Sequence, residues 1–141
     1  MSLKDEFDEL MIGYRNMPFY ELTPTYFCTF TSNGRKWRTL IHYWTAMFFS
    51  DDSMREWIRK QDTPQMAMNC ASKKGFVDFH QVDPKVMIKG LQDRFNQNDN
   101  LRSILLSTGN IDIVYAGSKN FLSENNRYGR MLMRLREIYN S

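Results

Sequence analysis

The densest apolar stretch of the chain runs from Leu40 to Phe49, where only His42 and Thr45 interrupt Leu40, Ile41, Tyr43, Trp44, Ala46, Met47, Phe48 and Phe49. Thr39 precedes it as an N-cap, so the pattern predicts a helix from Thr39 to about Phe49. A helix apolar on nearly every side is a buried one, and this segment is the expected central helix. Upstream, Ser2 is placed to cap a short helix with Leu3, Phe7, Leu10 and Met11 on one face, broken by Gly13 to Pro18. Pro18 to Tyr20 and Tyr26 to Phe30 are aromatic- and Thr-rich and predict short strands. Asn33-Gly34 is a tight hairpin signal, with Lys36 to Arg38 as the return strand.

Downstream, Ser50 to Ser53 ends the apolar helix and caps Met54 to Lys60. Thr63-Pro64 and Asp83-Pro84 are cap-plus-proline starts for two more helices, the second carrying Val86, Met87, Gly90, Leu91 and Phe95. Lys73-Lys74-Gly75 reads as a loop. The polar run Asn96 to Asn100 caps Leu101 to Leu106, and Thr108-Gly109-Asn110 is a turn. Ile111 to Tyr115 predicts a strand and Gly117 to Asn126 an irregular loop. A last helix, Arg127 to about Tyr139, has Leu132, Leu135 and Tyr139 on its buried stripe. Many helices and few short strands, without a βαβ rhythm, indicate a helix-rich α+β single domain.

Composition narrows the function classes. The 141 residues suit one domain with a real core, and 14% aromatics argue against disorder. No apolar run nears the ~20 residues of a membrane span. Lys4, Asp5, Glu6, Asp8 and Glu9 do not suit a secretory leader. A soluble, cytoplasmic or otherwise intracellular protein is the expectation. A net charge of +3, from 19 basic and 16 acidic residues, is too weak a field to favour nucleic acid as a partner. Cys28 and Cys70 form no CxxC and read as free buried thiols; His42 and His80 share no metal-ligand spacing, so neither a metal nor a cofactor is expected. Most of the ten methionines, Met47, Met66, Met68, Met87, Met131 and Met133 among them, fall at apolar helical positions as packing.

Two segments carry a pattern beyond secondary structure. One is Arg94-Phe95-Asn96-Gln97 followed by Leu101-Arg102, Leu105-Leu106 and Thr108-Gly109; the other is Asn126, Tyr128, Gly129, Leu132, Met133, Leu135 and Arg136. Together they resemble the "KFxQ…LRxxLLxTG" and "N-x-hydrophobic-G-x-x-LM-x-(L/V)-R" motifs of the NADAR (YbiA-like) family, small N-glycosidases of riboflavin-intermediate and ADP-ribose chemistry. Phe19-Tyr20 is similar to the family's opening strand and Gly34 to Trp37 to its "DGxxW/Y" turn. Thr39 to Phe49 falls on "(T/S)-S-E-H-Y-(F/Y)-Q-A-x-K-F". The resemblance spans about residues 18 to 139. It implies a NADAR-like domain over 18–141 and an N-terminal extension over 1–17.

The departures bear on chemistry. The resemblance places the family's Glu on Ile41, its Lys on Phe48 with Thr45 for the Gln, its loop Asp near Asn120, and a family Trp on Phe79. Breaking an N-glycosidic bond needs a carboxylate or nucleophile at the sugar and a proton donor at the base. Ile41, Phe48 and Asn120 supply none of these, and burying the first two adds to the core instead. Glu124, Glu21 and His42 are the residues that could restore the missing groups; Asp51 and Asp52 read as caps, and Asp112 as solvent-facing. Trp44, Tyr43 and Phe79, with the cluster Arg35, Lys36 and Arg38 around Trp37, are the candidate binding residues. Arg127, Arg130 and Arg134 repeat along one helix.

The expectation is a NADAR-fold protein without N-glycosidase activity, serving as an interaction or assembly module with a protein partner or as a homo-oligomer. Because the family occurs in viral as well as cellular genomes, a virion place follows if the source is viral. The alternatives are an active, divergent N-glycosidase on a ribosylated or ADP-ribosylated base, and a nucleotide or nucleic-acid binder without turnover that uses Arg35, Lys36 and Arg38 with stacking on Trp37; a nucleotide or ADP-ribose-like molecule is the small ligand considered.

Overall fold

The computed structural model describes residues 9–73, 81–117 and 121–141. In chain order its elements are β1 (Glu9–Ile12), a single 3-10 turn (Tyr20–Leu22), β2 (Phe30–Ser32), β3 (Arg35–Trp37), α1 (Leu40–Met47), α2 (Asp52–Arg59), α3 (Pro64–Ser72), α4 (Pro84–Asn96), α5 (Asp99–Ser107), β4 (Asp112–Tyr115), a second 3-10 turn (Glu124–Asn126) and α6 (Arg127–Tyr139). This is the helix-rich α+β class. The chain divides into two compact units: Pro24–Asn98, and Met1–Thr23 with Asp99–Ser141.

The unit Pro24–Asn98 is built around α1. Asn33 and Gly34 take φ of 55° and 76° and close the antiparallel β2–β3 hairpin, pairing Phe30 with Trp37 and Ser32 with Arg35. Two consecutive positive φ values are what a two-residue hairpin matched to strand twist requires. Thr39 then caps α1 by accepting the His42 N–H at 3.2 Å. Every residue of α1 from Leu40 to Ala46 is buried, packed among α2, α3 and α4. Asp51, Thr63 and Asp83 cap α2, α3 and α4 in the same way, the last two followed by Pro. On α4, a Cβ at Gly90 would lie 2.4 Å from the Tyr43 ring, so this helix approach needs glycine.

The second unit pairs β1 with β4 in parallel, Leu10 opposite Ile113 and Ile12 opposite Tyr115. The far edge of β4 is closed by a side chain. Asn126 Oδ1 accepts the Tyr115 N–H at 2.8 Å and Asn126 Nδ2 donates to the Ile113 carbonyl at 2.8 Å. These are the bonds a further parallel strand would make. Asn126 sits at φ 52°, a conformation Asn tolerates better than most residues. Three residues on, a Cβ at Gly129 would lie 2.4 Å from the Ile113 carbonyl oxygen, so α6 can lie on β4 only with glycine there. Tyr128 donates its hydroxyl to the Leu22 carbonyl, and the buried Arg136 donates to Thr108 Oγ1 at 2.9 Å.

Several elements differ from the sequence expectation. Leu10 and Met11 belong to a strand, not to a helix begun at Ser2; Ser2 to Phe7 lie outside the described residues. Burial along Glu9–Ile12 alternates as a strand's does, and the parallel partner at Asp112–Tyr115 overrides the local helical spacing. Glu9–Ile12 is thereby part of a unit, although it falls in the segment 1–17 read as an extension. Pro18 to Tyr20 forms no strand: Phe19 adopts φ 63° and leads into the 3-10 turn. Of Tyr26 to Phe30 only Phe30 enters β2. Cys70 is buried, but Cys28 is half-buried; both are free, and burial raises both thiol pKa values. Met66 is exposed rather than packed.

Candidate functional site

Ile41, Thr45 and Phe48 are spaced i, i+4 and i+7 at and just beyond α1, so they share one helical stripe. Ile41 is 3% exposed and Thr45 fully buried. Phe48, at the C-cap, is half-buried rather than a core residue, and meets the Phe49 ring edge-on at 5.1 Å. The stripe holds no ionisable group. Its only polar side-chain atom, Thr45 Oγ1, is buried and has no hydrogen-bond partner among the described residues.

His42, beside this stripe, is committed to structure. Its Nδ1 lies 2.8 Å from Thr39 Oγ1 and its Nε2 lies 2.9 Å from the Gln61 carbonyl. A carbonyl only accepts, so Nε2 carries the proton and Nδ1 takes the Thr39 hydroxyl proton. Burial pushes the imidazole pKa below its ordinary value; the Gln61 bond opposes the shift and nearby Arg38 adds to it. A neutral ring bonded at both nitrogens joins the α1 cap to the end of α2, and neither nitrogen is left to act as a base.

The aromatic and basic candidates also lie differently from expectation. Tyr43 is 1% exposed, edge-on to Phe30 and Trp37, and donates its hydroxyl to the Val86 carbonyl at 3.4 Å. Trp44 is fully buried and donates its indole N–H to the Met87 carbonyl at 3.1 Å. Trp37 is fully buried too, donating to the Ser32 carbonyl at 2.8 Å, so it offers no stacking face. All three rings are packed in the core. Arg35 is bound by Asp52 and Glu56, and Arg59 joins the same network at 2.7 Å from Glu56. That pairing lowers the Glu56 pKa and raises that of Arg59. Arg38 donates to the carbonyl of Gln61 at 2.7 Å and lies 3.4 Å from Asp62. Of this basic cluster Lys36, on β3 opposite Thr31, and Arg38 are exposed.

Glu21, Asp112 and Glu124 belong to the other unit, and Asp51 and Asp52 to this one. Glu21 is half-buried in the first 3-10 turn, and Glu124 is exposed in the second. Asp112 is exposed on β4 and Asp51 caps α2, both as expected; Asp52 opens α2 and pairs with Arg35. Arg127 stacks on Phe121 at 4.1 Å, Arg130 donates to the Asn125 carbonyl and Arg134 pairs with Glu137. Phe79, His80 and Asn120 lie outside the described residues. Among the described residues no three His, Cys, Asp or Glu come together as a metal-ligand set, and no helix is long and apolar enough to cross a membrane.

The motif residues that do remain form one consistent class. Asn126, Gly129 and Arg136 hold β4, α6 and α5 together, and Gln97 holds β2 through both polar groups of Thr31. A family model for the NADAR domain matches residues 12–139. The chain belongs to the NADAR family. It is 34% identical over 115 residues to "N-glycosidase YbiA" of Escherichia coli (strain K12), and equally to the protein of that name from Shigella boydii serotype 4 (strain Sb227), covering 74% of this chain and 72% of each relative. The NMR structure of the E. coli protein YbiA matches with a TM-score of 0.77 and 26% identity, over 94% of this chain and 86% of that one. What this NADAR chain keeps of the motifs is backbone clamping, and the stripe of Ile41, Thr45 and Phe48 carries no ionisable group. Sequence reasoning missed the Gln97 clamp and the partly exposed Trp57; a Trp one position before the buried Ile58 on a mostly polar helix was the available signal for the second.

Proposed function

We propose that this NADAR protein has lost N-glycosidase turnover and serves as a protein-interaction or assembly module. The observation that carries the reading is Ile41, buried on α1 at the position where the family motif has its Glu. As the bond breaks, positive charge grows on the sugar and negative charge on the base. An alkyl side chain stabilises neither. Removing one acid–base group costs about 10²–10⁴ in rate, and Phe48 in place of Lys takes a second charge away. Burying Ile41 stabilises the unit by roughly 1.5–3 kcal/mol in return. Exposed Phe27, Met66 and Ile88 give the same unit apolar surface for a partner.

The competing reading, an active divergent N-glycosidase, draws on the name of the 34%-identical relatives. It needs a carboxylate from elsewhere, with Glu124 and Glu21 the candidates. An assay of base release from riboflavin intermediates and from ADP-ribosylated guanosine separates the two. The proposal expects release no faster than without protein. Release that is abolished by Glu124→Gln or Glu21→Gln overturns it. Sedimentation gives the second arm: a mass above the 16.8 kDa of one chain is expected for a self-assembling module.

A further inference from the structure

The sequence holds one Asn-Gly step, Asn33-Gly34, and the fold places it at the tip of the β2–β3 hairpin. Both residues are exposed. The base of the hairpin is pinned, by the Gln97 amide on Thr31 and by Ser32 Oγ, which donates to Asp93 at 2.6 Å. The tip is held far less. The Asn33 carboxamide makes one weak contact, its Nδ2 standing 3.7 Å from Met47 Sδ. Among the described residues nothing accepts the Gly34 N–H, which in a two-residue hairpin loop lies outside the ladder. A Cβ at Gly34 would meet nothing within 4 Å, so the peptide has open space to turn. The chain's other asparagines are placed differently. Asn126 has both ends of its amide bonded to β4. After Asn125 and Asn140 the following N–H is occupied: that of Asn126 donates to the Ser123 carbonyl at 3.0 Å and that of Ser141 to the Ile138 carbonyl at 3.2 Å.

We propose that Asn33 is a self-modification site, where the folded chain deamidates through a succinimide to aspartate and isoaspartate. The Gly34 nitrogen attacks Asn33 Cγ. The new N–Cγ bond forms as the Cγ–Nδ2 bond breaks, and Nδ2 leaves as ammonia with the proton given up by the Gly34 nitrogen. Water then opens the ring. Opening at Cγ gives aspartate. Opening at the main-chain carbonyl gives isoaspartate, in which the chain runs on through Cβ and Cγ. Glycine on the C-terminal side favours the attack, because no Cβ shields its nitrogen and its backbone turns most freely. The two products differ in consequence. Aspartate suits the same turn as asparagine. Isoaspartate lengthens the backbone by one carbon and disturbs the pairing of Ser32 with Arg35. Both add a negative charge to a tip shared with Arg35 and Lys36. The reaction needs no partner, and it does not depend on whether turnover has been lost.

The full chain is aged in neutral and mildly alkaline buffer and followed by isoelectric focusing and peptide mass mapping. An acidic form is expected, its net charge of +3 lowered by one. Its mass gain of a single unit should lie in the peptide that holds Asn33, and part of that peptide should accept a methyl group from an isoaspartyl methyltransferase. The rate should rise with pH, because the attacking nitrogen must lose its proton. Asn33→Gly keeps a loop of two positive-φ residues and so keeps the turn; it should abolish the acidic form. The same acidic form growing at an unchanged rate in Asn33→Gly overturns the proposal, and so does conversion of Asn140 ahead of Asn33. A carboxylate product that accepts no methyl group overturns the succinimide route. An Asn33 peptide that stays unchanged in the folded chain while the urea-unfolded chain converts overturns the proposal too, by showing that the hairpin protects the site.

Discussion

The side-chain amide of Gln97 is bonded to both polar groups of one residue, Thr31: the Thr31 N–H donates to Gln97 Oε1 at 2.7 Å, and Gln97 Nε2 donates to the Thr31 carbonyl at 2.6 Å. The carboxamide thus acts as one more strand residue along the edge of β2. Asn126 does the same on β4 with Tyr115 and Ile113. Two amides from the family motifs therefore finish two small sheets. Because Thr31 is exposed and the Asn126 partners are less so, the two losses should differ. Gln97→Leu is expected to cost about 0.5–1.5 kcal/mol. Asn126→Ala should cost about 2 kcal/mol or more, since it strands two backbone groups and places Ala at φ 52°. Urea midpoints at constant slope measure both.

Gly129 faces backbone, which cannot move aside as a flexible side chain would. Gly129→Ala is expected to destabilise by roughly 1–3 kcal/mol or more, through the Ile113 carbonyl 2.4 Å from the new carbon. Gly109 also has positive φ, but nothing lies within 4 Å of its added carbon. Gly109→Ala should therefore cost only the backbone strain of about 1 kcal/mol. Thermal unfolding of the pair isolates the steric part.

Thr45 offers a change in the other direction. Its hydroxyl is buried without a partner among the described residues, so Thr45→Val removes an unsatisfied group and keeps the shape. The variant is expected to gain about 1 kcal/mol or more of stability, up to ~3 kcal/mol. A loss on the same scale would mean that the hydroxyl is satisfied.

His42 sets a pH dependence. Its folded pKa lies below the unfolded value of about 6.5, so in the interval between them the unfolded chain binds more protons. Stability should therefore fall as pH drops from about 6.5 to the folded value, and level off below it as far as this residue is concerned. Above about 6.5 the residue should contribute no slope. Ion-paired Glu56 acts in the same sense but only at its lower, carboxylate range. His42→Gln should flatten the slope just below 6.5 and leave the acid limb; chemical denaturation at a series of pH values reads the difference.

How much of this was legible depended on how local the signal is. Thr39, Asp51, Thr63-Pro64 and Asp83-Pro84 mark helix starts within a few residues of themselves, and Asn33-Gly34 carries its own turn geometry. β1 carried no such mark, because its partner β4 lies near the other end of the chain. That Ile41, Thr45 and Phe48 share a stripe was readable from their helical spacing alone. The roles of Tyr43, Trp44 and Trp37 were not, since an aromatic residue type says nothing of which side of the surface it takes. Their burial follows from Gly90, the Met87 carbonyl and the Ser32 carbonyl, all supplied by the folded chain. Arg35 and Arg38 looked like ligand cations for the same reason; the folded chain itself provides their anions and carbonyls.

The central claim is that the charge needed for glycosidic cleavage is missing from α1. Single-turnover base release, with protein in excess over a ribosylated substrate and the E. coli relative N-glycosidase YbiA run alongside, measures this with no contribution from product release. The account predicts a rate at least about 10²-fold below any the relative shows, and unchanged by Glu124→Gln or Glu21→Gln. A rate within tenfold of the relative, lost on substitution of either carboxylate, would contradict it.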